Sequence, residues 1–173
     1  MAQPGPQGGP PQAPDEPNLQ RISSLLAPER IRVPLRGKDK ASVLHELVDL
    51  IADSRGLGAD REVIYRAVRD RESAMSTGIG DSIALPHAKY NGLSELVMSA
   101  GVSREPLDFG ALDGRAVSLF FLLIGPESAA VAHVRALARV SRLMRESSLR
   151  QQLVSAADAE SFLRMLAQAE HAN

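Results

Sequence analysis

The segment Ser76–Ala88 is a glycine-containing turn that leads into a proline followed by a histidine. Gly78 and Gly80 allow backbone dihedrals that residues with a Cβ avoid, and they let the chain approach an anion closely. Pro86 fixes its own φ and favours an extended conformation for the preceding residue, so His87 is placed with few alternatives. A histidine held in this way is suited to act as a nucleophile toward a phosphoryl group. The local pattern alone fits a tight loop before a strand equally well.

The composition excludes most competing chemistries. The chain has no cysteine, no tryptophan and only two tyrosines, so thiol nucleophiles, thiolate metal sites, disulfides and an aromatic base-stacking platform are not available. The formal net charge of −1 argues against nucleic acid or an anionic membrane as the main partner. No apolar run approaches the length of a membrane span, and the N-terminus lacks the features of a signal peptide. We therefore predict a soluble cytoplasmic protein in which histidine is the best nucleophile.

His133 is the second histidine whose position is favourable for chemistry. It shares one helical stripe with Leu137, Val140 and Met144, so it is predicted to face the sheet. A lone histidine on an apolar face is more often a core residue with satisfied nitrogens, and that interpretation stays open. However, it lies near the start of a helix that follows a buried strand, where α/β proteins collect ligands and helix amides favour an anion. We predict that it shares a cleft with His87, where it contacts the transferred group or fixes the tautomer of that ring.

Arg71, five residues before Ser76, is the nearest candidate for charge stabilisation. Phosphoryl transfer spreads negative charge over three equatorial oxygens, which an arginine or amide groups can stabilise without a metal. The competing interpretation is a solvated arginine in the last turn of a helix. A zinc site needs at least a third ligand, and no cluster at ligand spacing surrounds either histidine, so we predict no metal and no cofactor. His45 and His171 are predicted to have no partner.

Alternating helices and strands must position these residues. Residues 1–18 are rich in Pro, Gly and Gln and are predicted to form a disordered tail, followed by one domain over 19–170. Val117–Ile124 is apolar at every position, so this strand must be covered by helices on both faces. We predict an α/β fold, a three-layer α/β/α sandwich with a central mixed sheet, with Asp60 as the cap of the third helix. The predicted helices span residues 19–26, 40–54, 60–71, 129–145, 148–153 and 159–168, and the predicted strands span 30–35, 83–85, 96–102 and 117–124.

The chain resembles the enzyme IIA domains of the bacterial sugar phosphotransferase system, in the mannitol and fructose class and especially the stand-alone nitrogen-regulatory type. The resemblance covers about residues 19–167. It rests on Arg71-Glu72, the Ser76–Ala88 turn, the Asp108–Gly114 turn, the Val117–Ile124 strand, His133 with Leu137-Ala138 after it, and the opening Ile22–Glu29. Together these segments are specific to the family, and the opening favours the regulatory type.

The resemblance implies a phosphotransferase component that carries a phosphoryl group on histidine. The phosphorylated histidine is matched by His87, the supporting histidine by His133, and the arginine near the phosphate by Arg71. We expect the turn residues to bind the phosphate as well, namely Ser76, Thr77, Gly78 and Gly80. The implied donor is HPr or its nitrogen-branch counterpart, and the implied recipients are a IIB domain or regulatory targets such as a kinase or a transporter. We favour a regulatory role, with sugar uptake and a non-transferring regulatory module of the same fold as alternatives.

Two neighbouring residues depart from the family pattern. Ser82 stands where the family usually has glycine, so if that position needs a positive φ, either the serine is strained or the turn differs. Asp81 adds a carboxylate close to the expected phosphohistidine, which would weaken the phosphorylated state by repulsion or tune its transfer potential.

Overall fold

The computed structural model describes residues 20–172, so the predicted tail at 1–18 lies outside the described residues. Within that range, helices cover both faces of a mixed six-stranded sheet. The predicted three-layer α/β/α sandwich is therefore confirmed. The helices are α1 (Ile22–Leu25), α2 (Lys40–Arg55), α3 (Arg61–Ala74), α4 (Ala130–Leu143), α5 (Ser147–Val154) and α6 (Ala159–Ala172). The strands are β1 (Ile31–Arg32), β2 (Gly78–Gly80), β3 (Ile83–Ala84), β4 (His87–Lys89), β5 (Val97–Leu107) and β6 (Val117–Gly125).

Strand β6 organises the sheet, whose order is β1-β5-β6-β3-β2, with β4 also paired to β6. The pairs β5–β6 and β2–β3 are antiparallel, whereas β1 runs parallel to β5 and both β3 and β4 run parallel to β6. Every residue of β6 is buried, because α2 and α3 pack on one face and α1, α4, α5 and α6 pack on the other. The fully apolar run in the sequence is thus explained by burial on both sides.

Several short elements differ from the prediction. The expected strand over 30–35 has only two residues in the sheet, and Pro34, which has no N–H, cannot donate to a ladder there. Residues 78–80 and 87–89, expected as part of a turn, form short strands. Asp60 precedes α3 but makes no side-chain cap bond to it. Its carboxylate accepts a hydrogen bond from the Tyr90 hydroxyl instead.

Glu170 joins the last helix to the first one. Its buried carboxylate accepts hydrogen bonds from the amides of Ile22, at 2.8 Å, and Ser23, at 2.7 Å, at the start of α1. Arg139 of α4 donates to the same carboxylate at 3.0 Å. Burial disfavours the charge, but the hydrogen bonds from Ser23, Arg139 and Ile22 outweigh it, and the pKa of the Glu170 carboxyl is lowered. These contacts satisfy amides that α1 leaves without intrahelical partners.

The two remaining histidines both have partners, contrary to the prediction. The ring of His45 stacks on that of Tyr65, with centroids 3.3 Å apart and planes inclined by 14°. Nε2 of His171 lies 2.9 Å from Nη1 of Arg21 and accepts a hydrogen bond from it. The His45 ring is thus held by stacking, and the exposed His171 ring by one hydrogen bond.

Candidate functional site

His87 is the first residue of β4, and its ring is half-buried. Nδ1 lies 2.9 Å from the carbonyl oxygen of Leu85. Because a carbonyl oxygen only accepts, Nδ1 carries the proton of the neutral ring and the lone pair is on Nε2. Burial is the largest influence on the pKa of His87 and lowers it. The hydrogen bond to Leu85 raises the pKa, the charge of Arg71 lowers it and the charge of Glu72 raises it, and the net result is a lowered pKa. The ring is therefore neutral near neutral pH, with Nε2 as its nucleophilic atom.

The central strand β6 holds the backbone around His87. Strands β3 and β4 both run along β6, and His87 is paired with Leu123. Pro86 lies between the two short strands, where its carbonyl accepts a hydrogen bond from the Leu123 amide at 3.0 Å. Since proline fixes φ and this carbonyl is bonded to the core strand, the backbone entering His87 is held from both sides.

The β2–β3 hairpin forms one wall of the site. Its two-residue loop has positive φ at Asp81 (54°) and Ser82 (64°), the combination that a type I′ hairpin turn requires. Ser82 thus occupies the left-handed region, which costs a residue with a Cβ about 1 kcal/mol. Gly78 is needed for close approach, because a Cβ there would lie 2.7 Å from the Cβ of Ala111.

An open cleft of about 280 Å³ lies beside His87. Arg71, residues 75–79 and Leu112 line it, together with Leu137 and Ser141 of α4. The structure therefore brings together five of the predicted site residues, namely His87, Arg71, Ser76, Thr77 and Gly78. Contrary to the prediction, neither Gly80 nor His133 lines the cleft. Asp81 does not line it either, and it is not among the charges that act on the His87 ring.

Hydrogen bonds within the protein occupy several donors of residues 76–78. Thr77 donates both its amide and its hydroxyl to the carboxylate of Glu72. Ser76 Oγ accepts from the Gly78 amide at 3.1 Å and lies 3.2 Å from the carbonyl oxygen of Phe109, to which it donates. Thr77 is therefore left without a donor for a phosphoryl oxygen, and its contacts fix the shape of the loop.

Arg71 lies in the last turn of α3, at the edge of the cleft. Its Nη1 donates to the carbonyl oxygen of Met75 at 2.9 Å, which orients the guanidinium. This bond uses one of the five N–H donors of the group. Arg71 and His87 line the same cleft, and the charge of Arg71 lowers the pKa of His87.

His133 is the fourth residue of α4, and its ring lies edge-on to that of His87. The ring centroids are 5.4 Å apart and the planes are inclined by 67°. Only 4% of His133 is exposed, and within the described residues its Nδ1 has no hydrogen-bond partner. Burial, followed by the charges of His87 and Lys89, lowers its pKa to about 4. His133 is thus a neutral buried ring with an unpaired nitrogen, unlike a satisfied core histidine.

Two negative findings concern the described part of the chain. Over residues 20–172, no group of three or more His, Cys, Asp or Glu side chains could hold a metal ion. None of the helices in that range combines the length and the apolar character needed to cross a bilayer.

Two charged residues near the loop of the site were not predicted as site residues, although the family resemblance rests in part on Arg71-Glu72. Glu72 and Lys40 form an ion pair with an Nζ–Oε1 distance of 2.8 Å, and the carboxylate is buried. A signal for Glu72 was present, since it follows Ile64 and Val68 at spacings of four on the inward stripe of α3. A carboxylate on an apolar stripe indicates a buried polar contact.

The comparisons with known proteins agree with this architecture. The family model described as "Phosphoenolpyruvate-dependent sugar phosphotransferase system, EIIA 2" matches residues 24–169. The chain therefore belongs to this family of phosphotransferase components, which transfer phosphoryl groups through histidine. A nitrogen regulatory protein of Bradyrhizobium diazoefficiens is 33% identical over 146 residues, covering 84% of this chain and 94% of that protein. The crystal structure of nitrogen regulatory protein IIA-Ntr from Neisseria meningitidis superposes with a TM-score of 0.77 at 28% identity, covering 84% of this chain and 98% of that one.

A sugar-specific relative is similar over the same region. The fructose-specific EIIABC component of Bacillus subtilis is 33% identical over 148 residues, or 86% of this chain. The chain spans 23% of the length of that protein. The family thus contains both regulatory and sugar-specific relatives at similar distance.

Proposed function

We propose that this protein accepts a phosphoryl group on Nε2 of His87 from the phosphohistidine of an HPr-like carrier, and that its phosphorylation state serves regulation. The observation that carries the proposal is the 2.9 Å contact between Nδ1 of His87 and the Leu85 carbonyl oxygen. It fixes the tautomer in which Nε2 has the lone pair, on a ring that lines an open cleft.

The transfer step is balanced without an added proton donor. The Nε2 lone pair of His87 attacks phosphorus, the new N–P bond forms, and the N–P bond of the donor breaks. The electron pair of the broken bond returns to the donor imidazole, which leaves as a neutral ring protonated on its other nitrogen. His87 keeps its Nδ1 proton, so its ring gains positive charge, which the Leu85 carbonyl stabilises.

Arg71 and His133 support this step in different ways. Arg71 offers charge and free N–H donors to the equatorial oxygens, where negative charge is spread in the transition state. His133 is neutral and edge-on to His87, so its N–H can donate to a phosphoryl oxygen while it limits how the His87 ring rotates. Of the loop residues, Gly78 contributes by its lack of a side chain, which lets the loop pack against Ala111, since its amide is already donated to Ser76 Oγ.

The cleft is open on a side rich in exposed apolar residues, which suits docking by a carrier protein. Met75, Ile79 and Leu112 line the cleft and are exposed, and exposed apolar patches mark interaction sites. We assign this rim to the HPr-like donor and to a recipient that takes its place after transfer. We place the reaction in the cytoplasm, in agreement with the prediction from the sequence.

The regulatory role is supported by the relatives that match along most of their own length. Nitrogen regulatory proteins of Bradyrhizobium diazoefficiens and Pseudomonas aeruginosa are each 33% identical with 94% of their length covered. Sugar uptake is the second candidate function, because a fructose-specific EIIA component of Haloferax volcanii is 29% identical with 95% of its length covered. In that case a IIB domain of the fructose or mannitol type would take the phosphoryl group.

Mass spectrometry tests the proposal directly. The protein is incubated with phosphoenolpyruvate, the first enzyme of the system and an HPr-like carrier, and wild type should gain about 80 Da in an acid-labile, base-stable form typical of phosphohistidine. His87→Ala should gain nothing, whereas the matched control His171→Ala should be labelled like wild type. Label on His87→Ala, or none on wild type, would contradict the proposal, and the second result would favour the non-transferring module. Fast transfer from the labelled protein to a fructose-type IIB domain would favour uptake.

A further inference from the structure

Glu72 is a buried carboxylate that the transfer step described above does not use. Its side chain is 3% exposed, although it lies one residue after Arg71 at the end of α3. It accepts hydrogen bonds from the Thr77 amide, at 3.1 and 3.2 Å, and from the Thr77 hydroxyl, at 2.5 Å. Nζ of Lys40, at the start of α2, lies 2.8 Å from it. All of these partners are hydrogen-bond donors, so the surroundings of Glu72 favour the ionised carboxylate over a group that must itself donate.

A continuous path of hydrogen bonds leads from Glu72 to the ring of His87. The carboxylate holds the amide of Thr77, and the Thr77 carbonyl accepts a hydrogen bond from the Leu85 amide at 2.9 Å. The Leu85 carbonyl in turn accepts the Nδ1–H of His87 at 2.9 Å. A shift of Thr77 would therefore move the same peptide segment that fixes the His87 tautomer.

A second branch ties the carboxylate to the turn that contains Phe109. Nζ of Lys40 donates to the Phe109 carbonyl at 3.0 Å and lies 4.5 Å from the centroid of the Phe109 ring. Ser76 Oγ donates to that same carbonyl. Two helix ends, the loop at 76–78 and the turn that contains Phe109 therefore meet around one carboxylate.

Glu72 also acts on His87 through its charge. Arg71 and Glu72 are adjacent in sequence, and both are among the charges that influence the His87 ring, with opposite signs. An ion pair that served only the fold would not need to meet the active-site loop at Thr77. The position of Glu72 instead combines a geometric and an electrostatic link to the reacting histidine.

We propose that Glu72 is a positioning residue for phosphoryl transfer, which holds the Leu85 carbonyl in place through Thr77 and so fixes the tautomer of His87. Lys40 is its counter-ion. This inference rests on the proposed function, because it concerns His87 as the phosphoryl acceptor.

The test compares Glu72→Gln with Asp70→Asn, a matched control that neutralises an exposed carboxylate two residues away on the same helix. An amide must direct its NH₂ toward one of three donors, so Glu72→Gln disrupts the network while keeping the length of the side chain. We expect labelling from the HPr-like carrier to slow by about tenfold or more, as small misplacements of reacting groups do. Nitrogen NMR of the unphosphorylated protein should show a mixture of His87 tautomers. The pKa of His87 should also fall, since a charge that raises it is removed.

Asp70→Asn should match wild type in labelling rate, tautomer and titration. Thr77→Val is the second variant if Glu72→Gln does not fold, because it removes one hydrogen bond and leaves the ion pair intact. It should shift the tautomer in the same direction with a smaller loss of rate. An unchanged tautomer together with a labelling rate within about twofold of wild type would overturn the role of Glu72. Because the tautomer is measured without phosphate, a wild type that takes no label would contradict the proposed function alone.

Discussion

Nδ1 of His87 lies 2.9 Å from the carbonyl oxygen of Leu85, two residues earlier in the chain. The acceptor that orients the ring is thus a backbone group of the same segment, and Pro86 between the two residues fixes the path that joins them. An uncharged acceptor favours the Nδ1–H tautomer without adding the full negative charge that would raise the pKa strongly. The ring can therefore be oriented and neutral at the same time.

The labelling rate should follow the protonation of His87. The protonated ring has no lone pair, so the rate should rise with pH through the pKa, which burial and Arg71 lower below 6.5, and level off above it. Arg71→Gln should move the midpoint upward, because it removes a charge that lowers the pKa. It should also reduce the plateau by about tenfold or more through lost charge stabilisation. Nitrogen NMR titration of His87 in both proteins checks the midpoints, and a wild-type midpoint above 6.5 would contradict the assignment.

Stability should depend on pH through His133. Its pKa is about 4 in the folded protein, against about 6.5 for a histidine in the unfolded chain, so between these values the unfolded chain binds a proton that the folded protein does not. The free energy of unfolding should therefore decrease as pH falls through this interval, by about 3 kcal/mol from this residue. His133→Gln removes that contribution, and urea unfolding of both proteins above and below the interval measures it. A difference between them that does not change with pH would show that His133 titrates normally.

The same His133→Gln variant should keep part of its activity. His87 retains its tautomer through Leu85, so the nucleophile is intact while one neighbour of the phosphoryl group is lost. Labelling should slow by about tenfold to a hundredfold without being abolished. An unchanged rate would reduce His133 to a packing residue.

Ser82→Gly should stabilise the protein. Ser82 has φ +64°, which costs about 1 kcal/mol or more for a residue with a Cβ, while glycine adds entropy to the unfolded chain. We expect a net gain of about 0.5 kcal/mol in the free energy of unfolding, measured with urea. Ser73→Gly, in the ordinary helical backbone of α3, is the control and should destabilise by about 0.5–1 kcal/mol. Equal effects of the two substitutions would argue against strain at Ser82.

Leu112→Glu should weaken docking of the carrier without weakening the fold. The Leu112 side chain is 80% exposed at the cleft, so the free energy of unfolding should change by less than about 0.5 kcal/mol. The KM for the HPr-like carrier should rise while the maximal rate stays similar, since uniform binding is lost. Val63→Glu is the control, because Val63 is also exposed but lies at the start of α3, away from the cleft. An equal effect of both substitutions would exclude the rim around Leu112 as the docking surface.

The larger elements could be predicted from the sequence because their patterns are long. The apolar run at 117–124 identified the central strand, and the four-residue spacing after His133 placed that ring toward the sheet beside His87. The strand at 87–89 could not be predicted, because a three-residue strand without alternation carries no periodic signal.

The roles of individual donors could not be read from the sequence. Thr77 fits the pattern of a phosphate-binding turn, yet its amide and hydroxyl both bond to Glu72. That contact also involves Lys40, which lies 32 residues before Glu72 in the chain. Which donors remain free is decided by tertiary packing of separate segments.

The carboxylate of Glu170 links the end of α6 to the start of α1, so the stability of each segment depends on the other. Deleting the last turn of α6 would leave the amides of Ile22 and Ser23 and the guanidinium of Arg139 without their shared acceptor. A truncation near residue 170 would therefore destabilise the start of α1, although the two segments lie at opposite ends of the described sequence. A reporter or affinity tag fused directly after α6 needs a spacer that leaves this junction undisturbed.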